Sequence, residues 1–135
     1  KKEYKDKVQC KPYAKTFIKK MKEQGKKLSI ATSSDKELFI PTLEREGIID
    51  SFDEIITVNQ VPRGKNHPDI YIEAAKRMEI EKNSCVVFED IITAIESAKR
   101  GGFGVVAVED EKSLINKRAI MEIADKYITT FKQLL

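Results

Sequence analysis

Short apolar runs alternate along this chain with longer stretches in which apolar positions recur every three or four residues. The runs predict buried strands at Lys27–Ala31, Glu54–Thr57, Cys85–Phe88 and Val105–Val108, with a short last one at Tyr127-Ile128. The longer stretches predict helices. Pro12 opens one carrying Phe17, Ile18 and Met21, with Gly25 as its stop. Another spans Asp35 to Glu46, with Leu38, Phe39, Thr42 and Leu43 on one stripe and Gly47 after it; Pro41 inside it predicts a kink or a later start. Pro68 stands at the first position of a helix whose Ile70, Tyr71, Ala74, Ala75 and Met78 form an apolar face. Ile92, Ile95 and Ala98 mark the next helix, before Gly101-Gly102, and a last one covers roughly Asn116–Ala124, before Phe131–Leu135.

This alternation predicts an α/β unit in which each strand reaches the next through a helical crossover. The strands are therefore expected to be parallel, with helices on both faces of the sheet. At 135 residues, without a repeat or a linker, the chain reads as one domain, 1–135. With 41% hydrophobic and 35% charged residues, and no apolar run of membrane-spanning length, it reads as a soluble globular protein and no membrane partner is expected. The lysine-rich start, Lys1 to Lys27, interleaves its charges with Phe17, Ile18 and Met21 at helical spacing. It reads as a solvated helix face rather than a nucleic-acid patch, so no nucleic-acid partner is expected. Cys10 and Cys85 lack a metal-ligand spacing; with no secretory signal visible they predict a reducing compartment, by default the cytoplasm. Cys85 is expected to act as a small buried apolar residue.

Three polar clusters stand at strand ends or in the loop beyond one. Val86-Val87-Phe88 stops on Glu89-Asp90, where paired carboxylates suit Mg²⁺, which takes one or two protein carboxylates and leaves its other positions to water and phosphate. The pair also fits a charged strand-to-helix turn with Asp90 as the helix N-cap. Thr32-Ser33-Ser34 offers hydroxyls and backbone N–H groups at a helix start, which hold phosphate oxygens. Lys65 adds a mobile positive charge. His67, the single histidine, reads as a turn or cap residue beside Pro68, and Glu109, Asp110 and Glu111 read as a solvated loop near the site rather than metal ligands.

Taken together, these segments resemble the haloacid dehalogenase-like hydrolase superfamily, in its phosphatase and β-phosphoglucomutase-like branch. Leu28 to Ser34 is similar to the family's second motif, Gly64 to Tyr71 to its third, and Val86 to Asp90 to its fourth. The likeness continues through Gly102–Val108 to Ala124–Ile128. It implies a three-layer α/β/α sandwich around a parallel, Rossmann-like sheet, and a small phosphorylated metabolite as partner. By the same likeness Thr32 binds the transferring phosphoryl group, helped by the Ser33 N–H, and Lys65 bridges phosphate and nucleophile. Glu89 and Asp90 position Mg²⁺, with Asp90 as the direct ligand, and Ser34 and Lys36 touch the rest of the substrate. Ile91 and Ala94 stand where relatives commonly carry Ser and Gly, which removes a hydroxyl that could support the metal shell.

The family's first motif, an apolar strand ending in Asp-x-Asp-Gly-Thr, supplies the aspartate nucleophile and the acid/base aspartate. No such segment occurs in the sequence, and Lys1–Lys11 is polar, with Asp6 its one aspartate. In the family that strand lies between those corresponding to Leu28–Ala31 and Val86–Phe88, so the resemblance implies a sheet lacking its central strand and two inner edges with unpaired backbone groups. The helical cap inserted after that motif is also absent. The expected account is a C-terminal portion of a Mg²⁺-dependent phosphatase or phosphomutase, needing the N-terminal segment to complete its sheet and site and inactive by itself. The alternative is a non-catalytic binding or regulatory relative that retains the phosphate and metal cradle. A receiver-like domain is disfavoured because its carboxylates should follow the first strand rather than the third.

Overall fold

The computed structural model describes residues 11–64 and 66–135. Over these residues the strands β1 (Ser29–Thr32), β2 (Glu54–Thr57), β3 (Val86–Glu89), β4 (Gly104–Val108) and β5 (Lys126–Ile128) alternate with helices. These are α1 (Ala14–Glu23), α2 (Lys36–Arg45), α3 (Asp69–Met78), α4 (Ile92–Arg100) and α5 (Lys117–Ile123). No helix among the described residues is long and apolar enough to cross a membrane. The predicted elements are all present; they differ at their ends and in burial, since β1 is half-buried and β3, predicted as buried, leaves Val86 and Phe88 exposed. Thr32 and Glu89, read as the first residues beyond their strands, are the last residues inside them, because each still has a ladder partner, Thr57 and Ala107. Pairing outlasts the apolar run by one position.

Three local features depart from the sequence reading. Helix α2 begins at Lys36 despite Pro41, so the later start is excluded, and the Glu37 carbonyl goes without its i+4 donor. Pro68 stands in the N-cap position of α3 rather than at its first turn. The N-cap residue of α4 is Ile91, with no side-chain cap bond, so Asp90 is not a cap and its carboxylate is left for other partners.

All observed pairings are parallel: β1 with β2, and β3 with β4 and β4 with β5. They form two sheets, and among the described residues no ladder joins β1 to β3. Alternation sends successive side chains of a strand to opposite faces. Ile30 and Ile55 pack with Phe39, Leu43 and Ile48 on the α2 side, together with Ile18 of α1. Ala31 and Ile56 turn to the other face, into a larger core with Ile70, Tyr71, Ile95, Phe103, Val105 and Ala107. Helix α3 packs on β1 and β2, and α4 on β3 and β4. Across the second sheet, Phe88 meets Phe17 of α1 at 5.3 Å and Phe131 at 5.8 Å between ring centroids. The two sheets are thus joined by side chains of α3 and α1.

The amino-terminal edges of both sheets use one device. Asp53, immediately before β2, donates its N–H to the Leu28 carbonyl (2.7 Å) and accepts the Leu28 N–H on its carboxylate (2.8 Å). Asp125, immediately before β5, makes the same pair with Val105 (3.0 and 2.8 Å). A lysine from the last turn of a helix completes each: Lys22 of α1 reaches Asp53 at 3.2 Å, and Lys99 of α4 reaches Asp125 at 3.0 Å. The backbone N–H first, and the lysine with it, hold both carboxyls below their ordinary value.

Because these folded-state values are depressed, the stability they contribute is present above the ordinary carboxylate value of 3.8 and is lost as pH falls through the lowered ones. Urea midpoints measured from about pH 5 to about pH 2 should therefore fall for the wild type and fall less for Asp53→Asn/Asp125→Asn. Equal slopes for the two proteins would remove these latches from the acid response.

Candidate functional site

One hydrogen bond fixes which edges meet. Helix α3 follows the carboxyl end of β2, and Tyr71 in its first turn donates its hydroxyl to Glu89 Oε2 at 2.7 Å, at the carboxyl end of β3. The carboxyl ends of β2 and β3 therefore lie at the same edge. Parallel pairing brings the end of β1, with Thr32, and the end of β4, with Glu109-Asp110, to that edge as well. Lys11, ahead of α1, reaches the same edge through Asp110 and Asp90.

At the β1 end, Thr32 Oγ1 accepts the Ser34 N–H at 3.0 Å, a turn that curls the backbone from the strand into α2. Ser33 and Lys36 are exposed, and Ser34 is half-buried. Lys65 lies outside the described residues, as does Cys10. The described residues on either side are well tied. His67 donates its N–H to the Gly64 carbonyl (2.9 Å), Arg100 donates to the Asn66 carbonyl (2.7 Å), and Arg63 forms a two-pronged pair with Asp69 (2.7 and 3.0 Å). Beyond them a Cβ on Gly101 would stand 2.8 Å from Pro68 Cβ, so only glycine lets α4 approach this closely.

At the β3 end the two carboxylates have different surroundings. Glu89 is engaged by Tyr71, and burial together with that carboxylate pushes the Tyr71 phenol up, keeping it a donor. Asp90 faces Lys11, whose ammonium stands 3.6 Å from its Oδ2. Burial raises the Asp90 carboxyl, Lys11 opposes this, and Glu89 and Asp110 add to the rise. The same ammonium lies 2.9 Å from Asp110 Oδ1 and 3.3 Å from the Glu109 carbonyl.

The acidic stretch after β4 is more engaged than a solvated loop. Glu109 receives Lys117 and the Tyr127 hydroxyl, each at 2.9 Å; burial first, then that carboxylate, pushes Tyr127 up to about 12. Asp110 caps the following turn through the Lys112 N–H at 3.1 Å and shares Lys11 with Asp90. Lys11, Tyr71 and Asp110 are the participants that sequence reasoning missed. An aromatic hydroxyl one turn into the helix after Lys65 was a signal for Tyr71; Lys11 had none. Cys85 packs against the core, and burial raises its thiol, which fits an inert role.

Among the described residues no group of three or more His, Cys, Asp or Glu side chains converges as a metal cage. The arrangement instead offers two hard-oxygen carboxylates, Asp90 and Asp110, already gathered around one cationic nitrogen. Asp90, with Asp110 holding Lys11, fits Mg²⁺, which uses few protein carboxylates and fills its octahedron with water and phosphate oxygens.

Comparison with known proteins agrees with this architecture. The family model described as haloacid dehalogenase-like hydrolase matches residues 1–108. The phosphorylated carbohydrates phosphatase of Thermotoga maritima is 28% identical over 130 residues, covering 92% of this chain and 60% of that protein. The bifunctional riboflavin kinase/FMN phosphatase of Arabidopsis thaliana is 30% identical over 126 residues, covering 93% of this chain and 32% of its own length. Among solved structures, a family IA hydrolase from Entamoeba histolytica superposes with a TM-score of 0.79 at 29% identity, over 96% of this chain and 58% of that one. The chain thus spans three fifths or less of the length of each.

Proposed function

The chain belongs to the haloacid dehalogenase-like hydrolase family, and from that membership we propose that it carries the phosphate-binding and metal-binding side of a phosphatase site for a small phosphate monoester such as a sugar phosphate. The observation that carries this reading is the shared carboxyl edge. The Thr32 hydroxyl stands at the end of β1, and two carboxylates gathered on one cation stand at the ends of β3 and β4.

In this reading Thr32 and the Ser33 N–H hold phosphoryl oxygens, and Lys65 supplies the positive charge that bridges phosphate and nucleophile. Ser34 and Lys36 face the remainder of the substrate. Asp90 is the direct Mg²⁺ ligand, while Glu89, oriented by Tyr71, holds the second coordination layer. Magnesium, when bound, neutralises the phosphoryl charge during transfer. The aspartate nucleophile comes from a strand ending in Asp-x-Asp-Gly-Thr, a segment this sequence does not contain. Such a strand would stand between β1 and β3, which no ladder joins among the described residues, and set its carboxylate between Thr32 and Asp90. The second reading, a non-catalytic phosphate-binding relative, draws on the same missing segment.

The test is calorimetric titration of the protein with orthophosphate, with and without MgCl₂. Thr32→Val and Lys65→Ala are each expected to weaken orthophosphate binding by about tenfold, as loss of a charge-assisted contact does. Asp90→Asn should remove its dependence on magnesium. Orthophosphate binding that all three substitutions leave unchanged would overturn the assignment.

A further inference from the structure

We propose that Lys11 is a tethered counter-cation that shares Asp90 with the divalent ion and thereby sets how tightly this chain holds magnesium. The inference rests on the reading of Asp90 as metal ligand and adds to it a competitor within the chain. One ammonium collects three oxygens from two strand ends: Asp110 Oδ1 at 2.9 Å, the Glu109 carbonyl at 3.3 Å and Asp90 Oδ2 at 3.6 Å. Asp110 is the nearer carboxylate, so the ammonium has somewhere to retreat when a second cation arrives on Asp90.

The backbone of Lys11 is held in place for this role. Its carbonyl accepts the Ala14 N–H at 3.0 Å, and Tyr13 turns the chain into α1 through a left-handed conformation, φ 65°. The side chain is anchored at the edge of the site and cannot diffuse away. All three charged side chains are about one-third exposed, 30 to 33%, so solvent moderates their interaction. Repulsion between Lys11 and an ion on Asp90 should accordingly change affinity by about three- to thirtyfold rather than by many orders.

Competition makes two substitutions act in opposite directions. Lys11→Met removes the competitor, so magnesium should bind about three- to thirtyfold tighter. Asp110→Asn removes the retreat, drops Lys11 onto Asp90 and should weaken magnesium by a similar factor. In the Lys11→Met background Asp110→Asn should have a much smaller effect, and Lys11→Arg should behave as wild type. Affinities are read by MgCl₂ calorimetry and by the Mn²⁺ resonance signal, with circular dichroism melts confirming that each variant folds. If Lys11→Met leaves affinity unchanged or weakens it while Asp90→Asn still abolishes binding, Lys11 is a structural tie and the inference falls alone. If Asp110→Asn weakens binding equally with and without Lys11, Asp110 is itself a ligand and the competition is wrong. Magnesium binding that Asp90→Asn leaves untouched removes the metal assignment and the inference with it.

Discussion

Purified residues 1–135 are expected to release no phosphate from an aryl phosphate above the buffer background, with or without magnesium. In the proposed reading Thr32, Lys65 and Asp90 stabilise a transferring phosphoryl, and none of them is a nucleophile held in line with phosphorus. A family member attacks through the first aspartate of Asp-x-Asp-Gly-Thr, and no such segment stands in this sequence. Supplying that strand from a relative, fused or added in trans, should restore magnesium-dependent turnover. It should also suppress self-association, because that strand would fill the place between β1 and β3, which no ladder joins among the described residues. Magnesium-dependent turnover by the isolated chain, with contaminating phosphatases removed by a second purification, would show that the mechanism uses a different nucleophile.

Much of the architecture was legible in the sequence because the signals for it are local. Apolar runs such as Val105–Val108, and stripes such as Ile92, Ile95 and Ala98, specify element type through local pattern. The parallel pairing of β1 with β2 and of β3 with β4 and β5 follows from the crossovers. Boundaries were less legible, since Thr32 and Glu89 remain inside strands by virtue of ladder partners that hydrophobicity does not encode. Pro41 is a sharper case. The burial of Phe39, Thr42 and Leu43 on both sides of it keeps α2 continuous where local preference argues for a break. In the candidate site, the positions of Thr32, Glu89 and Asp90 at or just beyond strand ends were readable. Lys11 was not, because its partners Asp90 and Asp110 lie some eighty and a hundred positions away and no periodicity links them. The paired Asp53 and Asp125 latches were equally invisible, for each looks like an ordinary loop carboxylate until the register sets it opposite Leu28 or Val105.

Ile95→Ala is expected to cost about 2–5 kcal/mol, a large part of the roughly 5–15 kcal/mol that holds a domain of this size folded. Ile95 is fully buried, at 0% exposure, in the cluster that includes Ile56 of β2, Ile70 and Tyr71 of α3, and Val105 of β4. Alanine is the better helix former, so the loss reflects packing and the cavity left behind, with no backbone penalty in α4. Its position matters more than its size. No ladder joins the two sheets among the described residues, and this cluster is where their side chains meet. Val86→Ala is the matched control: Val86 is 55% exposed on β3, and its truncation should stay within about 0.5 kcal/mol. Urea titration of the two variants checks the difference, and equal shifts would mean that the sheets are not held together through this core. The same cluster contains Tyr71, whose hydroxyl orients Glu89. Loosening the packing beneath Ile95 should therefore weaken magnesium binding even at urea concentrations where the chain is still folded, which ties the geometry of the carboxylates to the packing between the sheets.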